Sequence, residues 1–494
     1  MKRLAFACWG VLMVLPTARP ARGASALEHL QAAPKPHFAA GHTLPPLTRW
    51  GWRLPMDLQK ALCEDWGYAL EFGEVNAGTL RRLADANSVE ARLVALTAGN
   101  PKRYPLSVLT QRPYHRKEFA AACPPETWSV DANTGKKVWS PAAPSSVFER
   151  GAKIAADALK ALRRKAPVAI VLNGGEYALS VYGHHGKVWA RDARVLKAKG
   201  ETSWYDYVSE QKARQETIVT EACRRAVPDR LLYIYYFADG CSHRNAYGGW
   251  NVWAWDYKHM RAVTDLPSSS IYYRHFNTGW TGERDMLTQA LNGVGRHVGF
   301  GQDVSYNWMN AGWTRKKMGP AAFGEIDRYM GYLKCYYTAG MIGGVAGYFA
   351  YPAGGFGAKD VGAERPHWLE QMIALSRVHA LFSHVEELLR GGEPLAGPDR
   401  HKWSKDQPAF ELPMGDATAR VVARKHRKRD EWLITAWAAG GADRDVTVSA
   451  AKLGRVTLRA RAAGSVYRAK LRDGKAELKL LDTDGQRPTA GMAR

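Results

Sequence analysis

From residue 145 onward the chain alternates two kinds of segment, and this alternation restricts the fold more than any other feature. "SSVFERGAKIAADALKALRRK" has the apolar spacing of an amphipathic helix. Ser145 or Ser146 is placed to cap it, with Glu149 where a capping box needs a carboxylate. Pro167 closes that helix and "VAIVL" follows as a short buried strand. A second helix over 203–226 leads into the strand "LLYIYYFADG", which ends at Asp239. "SSIYYRHFN" reads as the next strand, followed by a helix over 283–291 and the run "HVGFGQDVSYNW", whose strand is counted as "HVGFGQD". A helix over "FGEIDRYMGYLKCYYTAG" precedes "GGVAGYFAYP", and a last helix ends at Gly391 and Gly392.

Strands that alternate with helices run parallel, joined by crossovers. Five strands are visible after residue 145, and "RWGWRLP", "YALEFGE" and "YPLSVLTQRP" supply three more before it. The expected fold class is therefore α/β, a (β/α)8 TIM barrel over 47–396. An open doubly wound sheet is the competitor, but no glycine-rich phosphate loop sits at a strand-to-helix turn. After residue 396 the texture changes to short alternating runs separated by Gly and Asp turns. "RDGKAEL" reads as a hairpin tip there. Residues 397–494 are expected to form a small all-β antiparallel sandwich. The basic run "RKHRKRDE" between two of its strands reads as a solvated hairpin loop.

The first residues have a different character. Lys2 and Arg3 precede an apolar run too short to span a bilayer, and small residues follow it. Residues 1–26 read as a signal peptide, which predicts a secreted or periplasmic protein with no membrane span. Residues 27–46, rich in Pro, Ala and His, are expected to be an unstructured lead-in. Cys63, Cys123, Cys223, Cys241 and Cys335 remain beyond the signal, with no metal-like spacing. One or two disulfides fit an oxidising compartment.

The formal net charge is +23, and removing the signal leaves it strongly positive. Such a protein attracts polyanions. Export points away from nucleic acid and toward acidic or sulfated polysaccharide as the partner. The chain also carries 18 Trp and 22 Tyr, many in glycine-rich stretches such as "YGGWNVWAWDY" and "SYNWMNAGW". Flat aromatic faces pack against sugar rings. Trp250, Trp280 and Trp308 are expected substrate platforms on that ground.

In a (β/α)8 barrel the active site is built at the C-terminal ends of the strands. The stretch "VAIVLNGGEYAL" puts Glu176 just beyond the fourth strand, behind Gly174 and Gly175. The twin glycines allow a tight turn and leave room for a ligand. Asn173 and Tyr177 flank the site, and both are expected to touch substrate. Counting on, Asp239 ends the fifth strand and Asp303 the seventh.

This arrangement resembles the clan A glycoside hydrolases, (β/α)8 enzymes that commonly carry an appended β-sandwich. In that clan an Asn-Glu pair ends strand four and its Glu is the general acid/base. A second Glu ends strand seven and is the nucleophile. The resemblance implies that Glu176 is the acid/base and Asp303 its partner. Here two glycines separate Asn173 from Glu176, and an aspartate stands where the clan has a glutamate.

The physical demand holds whatever the family. Two carboxyl groups must flank the glycosidic bond, about 5–5.5 Å apart for retention or about 6.5–9.5 Å for inversion. Glu176, Asp303 and, in reserve, Asp239 are the catalytic candidates. His184, His243, Arg244, Arg274 and His275 are candidates for holding hydroxyl or anionic groups on the substrate. No metal or cofactor motif and no G-x-S-x-G elbow is visible. The sequence thus predicts a secreted glycoside hydrolase acting on a polysaccharide, neutral or anionic. The alternative is a non-catalytic carbohydrate-binding protein on a degenerate glycosidase barrel.

Overall fold

The short apolar runs settle into parallel strands because each is backed by an amphipathic helix that covers one face. The computed structural model describes residues 26–49, 54–110, 113–174, 179, 182–235, 257–268, 270–272, 297, 300–310, 326–346, 367–395, 419–438, 442–450 and 452–481. The first strands are β1 (Thr48–Arg49), β2 (Leu70–Glu74) and β3 (Leu106–Leu109). A small inserted hairpin follows, β4 (Trp128–Val130) and β5 (Lys137–Trp139). Then come β6 (Ile170–Asn173), β7 (Leu232–Tyr235), β8 (Ser270–Tyr272), β9 (Ser305–Asn310) and β10 (Met341–Ala346).

Two parallel sheets result, in the orders β2-β3-β6-β7 and β8-β9-β10-β1. Backbone hydrogen bonds join them at both seams. Leu47 N donates to Gly67 O at 2.9 Å and Ala69 N donates to Leu47 O at 2.7 Å, which ties β1 to β2. At the other seam Asp265 N donates to Tyr233 O and Tyr306 N donates to Pro267 O, both at 2.9 Å. The segment leading into β8 is therefore held between β7 and β9. The eight strands follow one another in chain order, with β7 and β8 joined through the segment that precedes β8, the pattern of a (β/α)8 barrel.

All three early strands expected from the sequence are present, although "RWGWRLP" contributes only its first residue, Arg49, to β1. The seventh strand is displaced. The expected run "HVGFGQDVSYNW" holds it only in its second half, and it runs from Ser305 to Asn310. Phe300 N and Gln302 N both donate to His297 O, and Gly301 has φ +80°. That turn breaks the apolar run, and the strand begins only beyond it.

Between strands and helices lies an apolar layer. Leu70, Phe72, Leu106, Val108 and Val171 pack against Phe148, Ala152, Leu159 and Leu162 of the helix Ser145–Arg163. Val219 and Cys223 of the helix Trp204–Ala226 join the same layer. The expected serine cap of the first helix is absent. Pro144 occupies the cap position with no side-chain bond, so Ser145 is already helical. Ser203 does cap the second, accepting from Asp206 N at 3.1 Å.

The lead-in expected to lack structure carries the helix Ala26–Ala32. Ala26 and Leu30, one turn apart, bury in the same cluster as Leu369, Met372 and Ile373 of the closing helix His367–Ser383. His29 Nε2 lies 2.7 Å from Glu370 Oε1, and Ala39 N donates to Ser383 Oγ at 2.8 Å. Further on, Thr43 N donates to Glu386 at 2.7 Å. Leu44 buries in the same cluster, so apolar anchors and polar contacts together dock the stretch.

The C-terminal strands are β11 (Gly392–Pro394), β12 (Arg420–His426), β13 (Glu431–Trp437), β14 (Arg444–Ala450), β15 (Gly454–Ala460), β16 (Ser465–Arg472) and β17 (Lys475–Leu481). They form antiparallel sheets in the orders β11-β12-β13-β16-β17 and β14-β15. Val421, Trp432 and Ile434 of one meet Val446, Val456 and Leu458 of the other in one core. The hairpin expected at "RDGKAEL" is present. Arg472 pairs with Lys475 across Asp473 and Gly474, both at positive φ as a type I′ turn requires. "RKHRKRDE" also turns, but its first half is strand and Arg424 is fully buried. The sheet starts at Gly392, a few residues before the expected boundary.

Candidate active site

Because all eight barrel strands are parallel, the segments leaving β2, β3, β6 and β7 emerge at one end. β6 ends at Asn173, so Glu176 stands three positions beyond the C-terminal end of the fourth barrel strand. Glu176 and Tyr177 themselves lie outside the described residues. So do Asp239, His243, Arg244, Trp250, Arg274, His275 and Trp280. By position, Asp239 follows the end of β7 by four residues and His275 follows β8 by three. His184 belongs to the helix Tyr182–Trp189. Trp308 belongs to β9, in register with Ser270 and Val345.

Asn173 is described, and its side chain is buried and bonded on both amide atoms. It is 2% exposed, with Nδ2 donating to the Tyr233 hydroxyl at 3.1 Å and to Glu216 Oε2 at 3.5 Å. Its Oδ1 accepts from Gly174 N at 2.9 Å. Asn173 therefore ties Gly174 and the end of β6 to the helix behind it. These internal bonds give Asn173 a role in fixing the strand end, beside the substrate contact expected of it.

A polar network that sequence reasoning missed lies behind β6. Lys212 Nζ lies 2.8 Å from Glu216 Oε1, and both side chains are fully buried. Gln215 Nε2 donates to the same Glu216 oxygen at 3.0 Å. Burial pulls the Lys212 pKa down, opposed by the neighbouring Glu216 carboxylate. Burial also pushes the Tyr233 hydroxyl well above its ordinary value. A sequence signal existed: Ser209, Lys212, Glu216 and Thr220 recur at helical spacing, and all four are buried.

Asp303 is a correction. It precedes β9 rather than following it, so it lies at the N-terminal end of that strand, opposite the mouth. Its carboxylate is ion-paired with Arg427 of the sandwich. Its backbone oxygen accepts from Arg424 Nη2 at 2.5 Å. The reason is the turn at Gly301, which moves the strand past the aspartate. Asp303 joins two domains and does not face a sugar across the mouth.

Two further carboxylates sit on β2, and neither was singled out from the sequence. Glu74 ends the strand, 3.3 Å from Arg116 Nη2. Glu71 is buried, 3.8 Å from Arg49 Nε, and its backbone N donates to Gln59 Oε1 at 3.1 Å. Arg49 Nη2 donates to that Gln59 oxygen at 2.8 Å, and burial lowers the Arg49 pKa. Among the described residues no three His, Cys, Asp or Glu side chains converge as metal ligands. No described helix is long and apolar enough to cross a membrane. Cys63, Cys123, Cys223 and Cys335 are free thiols.

No family model matches this chain, and no curated protein matches it. Among solved structures it is similar to an α-amylase from Geobacillus thermoleovorans complexed with acarbose. That match has 10% identity, covers 89% of this chain and 87% of the other, and has a TM-score of 0.37. An α-galactosidase from Geobacillus stearothermophilus in complex with raffinose matches at 10% identity and a TM-score of 0.40. The match covers 90% of this chain and 56% of that one. An α-L-fucosidase from Paenibacillus thiaminolyticus matches at 10% identity, over 73% of this chain and 50% of its own, with a TM-score of 0.37. Superpositions this loose carry no argument about chemistry. The fold stands on the hydrogen-bonded strand order, and the chemistry on the strand ends.

Proposed function

We propose that the chain is a glycoside hydrolase that cleaves a polysaccharide, with Glu176 as general acid/base. The observation that carries this reading is the place where β6 stops. The fourth strand of a parallel barrel ends at Asn173, and a glutamate follows two glycines later. Active sites of such barrels are assembled from residues at this end. Asp239, just beyond the adjacent strand β7, becomes the proposed second carboxylate. Neighbouring strands lie about 4.8 Å apart, so loops leaving two of them can flank one glycosidic bond.

In this mechanism the Glu176 carboxylic acid protonates the leaving oxygen as the bond breaks. The Asp239 carboxylate attacks the anomeric carbon, or activates a water that does, according to the separation. The positive charge of the chain favours an anionic polysaccharide. The charged and apolar start of the sequence favours export.

Incubating the purified protein with neutral and sulfated polysaccharides and analysing the products tests the reading. Glu176→Gln is expected to abolish turnover while leaving polysaccharide binding largely intact. Binding without hydrolysis by the unmutated protein overturns it in favour of a non-catalytic carbohydrate-binding protein. The removal of Asp303 from the mouth is the observation that favours this second reading.

A further inference from the structure

Beside the mouth the protein has an open groove of about 640 Å3 that the proposed chemistry does not use. Its walls come from the segments following β2 and β3, closed on the outer side by the helix Ser145–Arg163. Arg81, Arg116 and Arg150 all line it. Pro113, Phe119 and Ile154 contribute apolar surface, and Ile154 is 37% exposed, unusual for a large aliphatic side chain in this chain.

The three arginines are held to different degrees. Arg150 is fixed: Nη1 donates to Ala122 O at 2.7 Å and Nη2 to Phe119 O at 3.2 Å. Its guanidinium lies 4.5 Å from the Phe119 ring centroid. Arg116 is tethered at 3.3 Å to Glu74, the last residue of β2. Arg81 is exposed, and among the described residues none bonds or ion-pairs its guanidinium. Among the described residues, Glu118 is the one acidic group lining the groove. Positive charge is therefore in surplus, and it sits beside an apolar floor.

We infer that this groove binds a sulfate or carboxylate group carried by an oligosaccharide. The guanidiniums take the anion, and the sugar ring lies against Pro113 and Ile154. Guanidinium geometry matches oxyanions in pairs of hydrogen bonds, and its weak hydration lowers the cost of desolvation. The groove residues on the segments following β2 and β3 belong to the end of the barrel at which β6 also stops. This inference rests on the polysaccharide reading of the barrel and gives its preference for an anionic substrate a specific site.

Calorimetric titration of the full chain tests it with three probes: a sulfated galactan oligosaccharide, an oligouronate, and the same galactan after desulfation. At least one anionic probe is expected to bind about tenfold or more tighter than the desulfated one, and the two anionic arms separate sulfate from carboxylate. Arg81→Glu is expected to weaken that binding about tenfold, with Arg81→Glu/Arg116→Ala weakening it further. Arg81 is exposed and unbonded, so its variant keeps the fold. Unchanged affinity in Arg81→Glu overturns the inference, as does equal binding of the desulfated probe or no binding of any. Hydrolysis is scored separately. Binding that depends on Arg81 without cleavage defeats the hydrolase and leaves the groove, whereas cleavage by a fully active Arg81→Glu defeats the groove alone.

Discussion

Lys212 and Glu216 are sealed from water behind the fourth and fifth barrel strands, where neither charge is stable alone. Their mutual contact, together with the Gln215 and Asn173 amides, is what makes the burial tolerable. Glu216→Ala leaves the ammonium without its carboxylate and is expected to destabilise the fold by about 3–5 kcal/mol. Replacing both with apolar residues, Lys212→Met with Glu216→Leu, is expected to cost much less. Urea midpoints of the two variants check this. His379 makes a different prediction. Burial holds its pKa down to about 3, and its Nδ1 lies 2.9 Å from the Tyr337 hydroxyl. In the unfolded chain a histidine titrates near 6.5, so below that pH protons bind the unfolded form. Stability is full above about pH 6.5 and falls as pH drops toward 3, by about 2 kcal/mol at pH 5. His42 is lowered by burial in the same way and adds to the slope. Denaturation at pH 7.5 and pH 5 should show this loss, and His379→Gln should flatten part of it.

At the scale of elements, most of the barrel was legible because alternation of strand and helix is a periodic signal spread over many residues. What misled was local. "HVGFGQD" is apolar enough for a strand, yet one glycine at positive φ turns the chain before the strand begins. That shift of a few residues carried Asp303 from one end of the sheet to the other. Composition averages over a segment, whereas the docking of the lead-in rests on a few placed residues: Ala26, Leu30 and Leu44 in the core cluster and His29, Ala39 and Thr43 in polar contacts. Asn173 was read for its neighbour in sequence, but its partners lie 43 and 60 positions away. Close approaches of elements were also invisible. A Cβ on Gly331, in the helix Ile326–Ala339, would collide with the Trp437 ring and the Ala462 carbonyl. Gly331→Ala is therefore expected to cost about 1–3 kcal/mol by overpacking despite alanine's better helix propensity. Thermal denaturation of that one variant distinguishes the two effects by sign.

For the molecule as a whole, the sandwich is not an appendage on a tether. The face of its larger sheet that is turned from its own core carries Val422, Leu433, Val466 and Leu481. They bury in one cluster with Tyr332, Leu333 and Tyr336 of a barrel helix. Polar contacts ring this patch. Lys334 Nζ donates to Ala463 O at 2.7 Å and Gly464 O at 3.0 Å, and the Thr338 and Thr435 hydroxyls meet at 2.7 Å. Asp303 with Arg427 closes one side. An interface built from shared core and buried lysine does not open before either half unfolds. Heat should therefore melt barrel and sandwich in one transition, with calorimetric and van't Hoff enthalpies equal. Ending the chain at residue 391 would expose the apolar face of the helix Ile326–Ala339 and is expected to yield aggregated barrel. Asp303→Asn removes only the half-exposed rim contact, so it should lower stability by about 1 kcal/mol or less and leave turnover unchanged. Two separate melting transitions, or a soluble and folded barrel after truncation, would show that the shared cluster does not couple the domains.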